Sequence, residues 1–140
     1  MNEHNSDRHK ERCQVVRASQ TFIGAQGLVN AVGISAETVG AKGINLQIVT
    51  VPPRAIAKTH RHNGHETAIY ALSGSSNVWW GSSLENHETV GPGDFLYIPA
   101  GMAHQPYNDS DTPAVVIIAR TDPSDHESVE LLPNLDNLHT

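Results

Sequence analysis

The chain has 140 residues, nine His, a single Cys and a formal net charge of −6. This length suits one domain with one hydrophobic core. The acidic balance argues against nucleic-acid binding, which needs clustered Lys and Arg, and no apolar run approaches the roughly 20 residues that cross a bilayer. A lone Cys13 excludes an internal disulfide and a thiolate zinc site. The polar start lacks the apolar segment of a signal peptide, which predicts a cytoplasmic protein.

Both ends of the chain are polar and differ from its middle. We predict an N-terminal tail over 1–12, a single domain over 13–121, and a C-terminal tail or short packed segment over 122–140. The ends carry His4, His9, His126 and His139. Their irregular spacing predicts solvated side chains without a role in metal binding.

The middle of the chain has the pattern of short strands separated by turns. Ile44, Leu46 and Ile48 alternate with polar residues, which is the period of two of a strand. Four further segments are rich in β-branched or aromatic residues, at 67–72, 77–80, 94–98 and 114–119. Gly, Ser, Asn and Pro cluster between them. Strands and turns that recur in this way are typical of a β-sandwich or barrel.

A histidine-rich segment after the first of these strands is a candidate metal site. His60 and His62 are two residues apart, so on a strand both imidazoles share one face. Glu66 would share that face if the strand continued. His65 would then point away from the metal, either behind the ligands or at the surface, with exchange for Glu66 as a ligand the alternative. Imidazole and carboxylate suit divalent Fe, Mn, Ni, Cu or Zn, whereas the competing interpretation is an exposed polar turn.

A second segment carries a more specific pattern. Its fixed points are Gly93, Pro99, Gly101, His104 and Asn108. At these positions the chain resembles the cupin superfamily, whose second motif is Gly, five residues, Pro, one, Gly, two, His, three, Asn. All five positions match at every spacing.

The first cupin motif is His-x-His, three or four residues, Glu, about six residues and Gly. His60, His62 and Glu66 match it, but Gly74 falls one residue late. Arg54 stands where the family has a further Gly. The resemblance covers about residues 40–120 and is greatest to small, single-domain RmlC-like cupins.

The resemblance implies an all-β jelly-roll β-sandwich, also described as a double-stranded β-helix barrel, that is often dimeric. It implies one divalent metal ion (Fe, Mn, Ni, Cu or Zn) held by His60, His62, Glu66 and His104. An octahedral ion with four protein ligands keeps two positions for water, substrate or O₂. The expected function is an enzyme acting on a small polar molecule, as a dioxygenase or a Lewis-acid isomerase or decarboxylase. The alternatives are a non-catalytic module that binds a small molecule or metal, and a metal-free isomerase or epimerase.

Other residues are weaker candidates for a substrate pocket. Lys58 has the strand parity of His60, although a solvated edge lysine explains it as well. The aromatic candidates are Tyr70, Trp80 and Tyr107, and core packing is the alternative for both tyrosines. The segment 114–119 is apolar on both faces, which predicts a homodimer interface.

Overall fold

A computed structural model describes residues 12–17 and 21–140. The predicted tail 1–12, with His4 and His9, lies outside the described residues except for its last position. The described chain is built from strands with one helical turn, α1 (Ala36–Val39), and a 3₁₀ turn at Pro133–Leu135. The strands are β1 (Thr21–Ile23), β2 (Val29–Ile34), β3 (Asn45–Val51), β4 (His60–Arg61), β5 (Thr67–Ser73), β6 (Ser76–Trp80), β7 (Asn86–Val90), β8 (Phe95–Ile98), β9 (His104–Tyr107), β10 (Ala114–Arg120) and β11 (Glu130–Leu131).

Two antiparallel sheets face each other. One has the strand order β1-β2-β3-β10-β5-β8, and the other has the order β11-β4-β9-β6-β7. Strands that follow one another in the chain often lie in different sheets, as in a jelly roll. The all-β sandwich expected from the sequence is confirmed. All five strand segments expected from the sequence have an observed counterpart, in β3, β5, β6, β8 and β10.

The hydrophobic core lies between the sheets. Alternate residues of β10 point inward, as Ala114 and Val116 do, and both are at least 94% buried. They pack in one cluster of buried side chains with Leu28, Val49, Val51, Ala57, Ala71 and Val90.

Strand β3 turns its polar residues inward. An alternating strand ordinarily buries its apolar side, yet Asn45 and Gln47 are 1% exposed whereas Leu46 and Ile48 are 44% and 42% exposed. The reason lies in the C-terminal segment. Asn45 Nδ2 donates to the carbonyls of residues 123 and 124, and Gln47 Nε2 donates to that of residue 125. Buried amides are stabilised by such bonds, so β3 serves as a polar dock for the segment.

The segment 122–131, which we call the C-terminal strap, runs from the end of β10 past Asn45 and Gln47 of β3 to β4. Arg120 Nη2 donates to the backbone oxygens of Ser124 and Asp125. The strap ends in β11, which pairs with β4 so that Leu131 lies opposite His60. No helix among the described residues has the length and apolar character that crossing a membrane demands.

Candidate metal centre

Two short strands bring three imidazoles together. His60 on β4 pairs directly with His104 on β9, and their ring centroids are 4.2 Å apart. His62 follows two residues after His60 and lies 4.9 Å from it and 5.0 Å from His104. One ligand nitrogen of each residue lies within 4.8 Å of the other two, and all three side chains are buried. The sequence-predicted trio therefore converges on one point.

Neighbouring carbonyls fix the tautomers of two of these rings. His60 Nδ1 lies 2.7 Å from the Lys58 carbonyl, and His104 Nδ1 lies 2.9 Å from the Met102 carbonyl. A carbonyl only accepts, so each Nδ1 carries the proton and each Nε2 keeps its lone pair. Outer hydrogen bonds of this kind orient metal-binding histidines.

The electrostatics also favour a neutral imidazole at His60 and at His104. Burial, together with the neighbouring His62, lowers the pKa of His60 to about 4. Burial, then His60 and His62, lower the pKa of His104 well below its ordinary value. Neutral imidazole is the form that ligates a metal. The donor set therefore fits a divalent transition metal.

Glu66 is not brought to this cluster. Its side chain is exposed and accepts a hydrogen bond from the Tyr97 hydroxyl. Gly64, at a φ of +83°, makes a left-handed turn between β4 and β5. The turn breaks the parity on which the sequence prediction rested, so Glu66 faces outward and the next residue, Thr67, faces in.

Thr67 lines the inner cavity with His62, and its Oγ1 is buried with no hydrogen-bond partner among the described residues. The first motif allows three or four residues between its second histidine and its glutamate. With four residues after His62, the position of the family's carboxylate falls on Thr67. Gly74 then falls where the motif expects it. The late glycine was the sequence signal for this register.

A carboxylate that sequence reasoning missed reaches the cluster from the strap. Glu127 Oε2 lies 2.9 Å from His62 Nδ1 and 2.8 Å from His65 Nε2. The approach to His62 is oblique, so that Nδ1 lacks a regular hydrogen bond. His65 is buried and packs 5.0 Å from the His62 ring, so of the two places expected for it, it lies behind the candidate ligands and not at the surface. No short motif marks Glu127, because only folding brings the strap to β4.

Of the pocket candidates, the structure brings Trp80 to the site. Trp80 lines a cleft of about 430 Å³ that also includes His104. Tyr70 packs on Phe95 at 4.8 Å, and Tyr107 lies 2.7 Å from a ring nitrogen of His87. Neither tyrosine lines this cleft or the inner cavity, and the Lys58 side chain is exposed. Lys58 meets the cluster through its carbonyl.

The cleft opens beside the edge strand β8 and reaches the imidazoles. His104 lines both the cleft and the smaller inner cavity, which has a volume of about 60 Å³. Trp80, Phe95, Tyr97 and Met102 make most of the cleft apolar, and its charged residues are Glu88 and Asp94. No described Lys or Arg lines either space.

Comparison with known families settles the relationship. The Cupin domain family matches residues 47–120, which includes both motifs. The chain belongs to the cupin family. No curated protein matches the sequence of this cupin.

Solved structures show the same fold. Oxalate decarboxylase of Bacillus subtilis, studied for its Mn(II) centres, is 25% identical with a TM-score of 0.68. The alignment covers 81% of this cupin and 30% of that chain, so this cupin spans under a third of the decarboxylase. The polyketide cyclase RemF of Streptomyces resistomycificus is 22% identical over 86% of this cupin and 85% of RemF, with a TM-score of 0.71. A sugar phosphate isomerase named as putative, from Acidithiobacillus ferrooxidans, is 22% identical over 84% of this cupin and 76% of that chain, with a TM-score of 0.64.

Proposed function

We propose that this cupin is an enzyme that binds one divalent transition metal ion and acts on a small molecule. The observation that carries the proposal is the convergence of three buried imidazoles, two of which are held by carbonyls in the tautomer that leaves Nε2 to a metal. Burying several polar side chains so close together lowers the stability of a fold, unless they bind a partner such as a metal ion. The Mn(II) centres of the structurally similar oxalate decarboxylase support a divalent metal ion in this fold.

The three histidines would hold the ion between the sheets. When bound, it would supply Lewis-acid polarisation of a substrate oxygen, or a place for O₂ if it is iron. The chain's own residues do the rest. The carbonyls of Lys58 and Met102 keep His60 and His104 oriented, and the apolar walls of Val78 and Ile98, which line both spaces, exclude water.

We also propose that the substrate is uncharged and carries an apolar ring. Trp80 and Met102 offer apolar surface on the way to His104. The acidic cleft opposes small anions such as oxalate, because no described cation faces them in the cleft or the cavity. The small polar substrate expected from the sequence would find few partners here.

Elemental analysis of anaerobically purified protein tests the metal proposal. We expect about one transition-metal ion per chain, and its identity separates O₂ chemistry, which iron supports, from Lewis-acid chemistry. Protein that is folded but holds no metal, and takes up none from added Co²⁺ or Mn²⁺, would overturn it.

Binding of 2-naphthol and of oxalate, measured by calorimetry, tests the substrate class. We expect naphthol to bind more tightly than oxalate, and Trp80→Leu to weaken naphthol binding roughly tenfold. Exposed Leu138 is the site for a matched control, Leu138→Ala, which should leave both affinities unchanged. Preferential oxalate binding would contradict the proposed class.

We retain the homodimer as a proposal, with the outer face of the six-stranded sheet as its interface. Ile48, Ile117, Tyr70 and Phe95 form one cross-strand row on β3, β10, β5 and β8. Phe95 is 82% exposed, and the row carries no charge. A second copy has the same negative charge, so contact through an uncharged face avoids repulsion.

Sedimentation of the wild-type chain beside Ile48→Glu tests this interface. We expect a dimer for the wild type and a monomer for the variant. Leu131→Glu, at an exposed apolar residue of the other sheet, is the control that should stay dimeric. A monomeric wild type would refute the proposal. The cytoplasmic location stays a prediction from the sequence.

A further inference from the structure

Glu127 lies beside the three histidines of the candidate metal centre. It is the one carboxylate that lines the inner cavity with His60, His62 and His104, among the residues that the structure describes. Its side chain is only 12% exposed. A carboxylate this well buried is costly unless cations or donors face it.

Three nitrogen atoms from two parts of the chain surround Glu127, those of His62 and His65 in the turn after β4 and that of Arg120 at the end of β10. His65 Nε2 donates to Oε2 at 2.8 Å, and His62 Nδ1 lies 2.9 Å from the same oxygen. Arg120 Nε lies 3.6 Å away and is buried without a hydrogen bond of its own among the described residues. The negative charge of Glu127 is thus compensated. Its carboxylate faces Nδ1 of His62, just as a carbonyl oxygen faces Nδ1 of His60 and of His104.

The strap that carries Glu127 is anchored on both sides of it. Before Glu127, the buried amides of Asn45 and Gln47 and the guanidinium of Arg120 bind the backbone of 123–125. After it, β11 pairs with β4, the strand that begins at His60. These contacts hold the backbone on both sides of Glu127, so the fold fixes the position of this residue.

The position that the cupin motif reserves for a carboxylate holds Thr67, whereas Glu66 faces outward. We propose that Glu127 is the carboxylate of this metal centre, as a positioning residue that orients His62 and balances the charge of the ion. The strap and the metal are then coupled, because the ion binds best to the form in which the strap is docked. This inference rests on the proposed function of the three histidines.

Titration of metal-free protein with Co²⁺, followed by absorbance, tests the role of Glu127. We expect Glu127→Gln to weaken Co²⁺ binding about 10- to 100-fold, and Glu127→Asp to recover part of that loss. Glu66→Gln is the matched control at the exposed glutamate of the motif and should bind as the wild type does. Circular dichroism verifies that each variant folds. If Glu127→Gln fails to fold, the affinity of Glu127→Asp for Co²⁺ provides the test instead.

Hydrogen exchange provides a readout that a purely structural role would not move. We expect Co²⁺ to slow amide exchange over 122–131 in the wild type but to have little effect there in Glu127→Gln. Wild-type affinity in folded Glu127→Gln, or loss of Co²⁺ from Glu66→Gln, would overturn the inference. A wild-type chain that binds no Co²⁺ would instead overturn the proposed function itself.

Discussion

His60 and His104 face each other as directly paired residues of two antiparallel strands, with their ring centroids 4.2 Å apart. They come from the two separate motifs, so the pairing of β4 with β9 is what joins the motifs into one centre. Because each ring is also tied to a carbonyl two residues before it in the chain, the pair is oriented before any ion arrives. Preorganisation of this kind lowers the cost of binding.

The double variant His60→Ala, His62→Ala should lose its stoichiometric metal and keep its β fold. Two of the three convergent donors are removed, and one remaining imidazole is too few to hold a divalent ion tightly. Metal content by elemental analysis and the far-ultraviolet circular dichroism spectrum check the two halves of the prediction. His87→Ala, at an exposed histidine outside the cluster, should leave the metal in place. Unchanged metal in the double variant would refute the site.

Metal-free protein should lose stability as the pH falls from 6.5 towards 4. Burial, with His62 second, lowers the pKa of His60 from 6.5 to about 4, and burial lowers the pKa of His104 as well. The unfolded chain therefore binds protons in this window that the folded chain does not, and the free energy of unfolding falls with pH. His60 alone should account for roughly 3 kcal/mol.

A second, more acidic loss should follow. Burial raises the pKa of Glu127, but the contacts with His62, Arg120 and His65 together outweigh burial and lower the pKa to about 2. The stability contributed by this carboxylate is thus lost between its unfolded value of 4.5 and about 2. Urea unfolding at a series of pH values measures both phases. A free energy of unfolding that stays constant between pH 6.5 and 4 would show that the histidines are not buried as described.

Asn108, the last position of the second motif, should prove structural. Its Nδ2 donates to the carbonyls of Val51 and Thr112, and its Oδ1 accepts from the backbone and hydroxyl of Ser110. Asn108→Ala leaves these buried partners unsatisfied and should lower the free energy of unfolding by about 3 kcal/mol, as measured in urea. Affinity for Co²⁺ in the folded fraction should be unchanged. A loss of affinity without a loss of stability would contradict the structural role.

Gly74 and Gly101 should respond very differently to alanine. Both have positive φ, of +69° and +78°. A Cβ at Gly74 would lie 2.2 Å from the Pro113 carbonyl oxygen, whereas nothing lies within 4 Å of one at Gly101. Gly101→Ala should cost about 1 kcal/mol for the left-handed backbone alone, and Gly74→Ala should cost several times as much. Equal costs in urea unfolding would show that the approach of Pro113 is not tight.

The family, the fold and the three histidines followed from local patterns. Strand periodicity and turn residues act over a few positions, so they marked β5, β8 and β10 before any tertiary contact was known. The spacing of His60 from His62 put both rings on one face of β4 by strand geometry alone. The second motif placed His104 after the turn of Pro99 and Gly101, and that turn returns the chain to β4.

Tertiary structure decided the rest, because parity holds only while a strand continues. Gly64 ended that continuity and exchanged the directions of His65 and Glu66. The inward polar face of β3 depended on the backbone of the strap, which Asn45 and Gln47 bind from far along the chain. Packing of the strap against the barrel likewise brought Glu127 to His62. The sequence alone determined which imidazoles meet, whereas only the folded chain determined which carboxylate lies beside them.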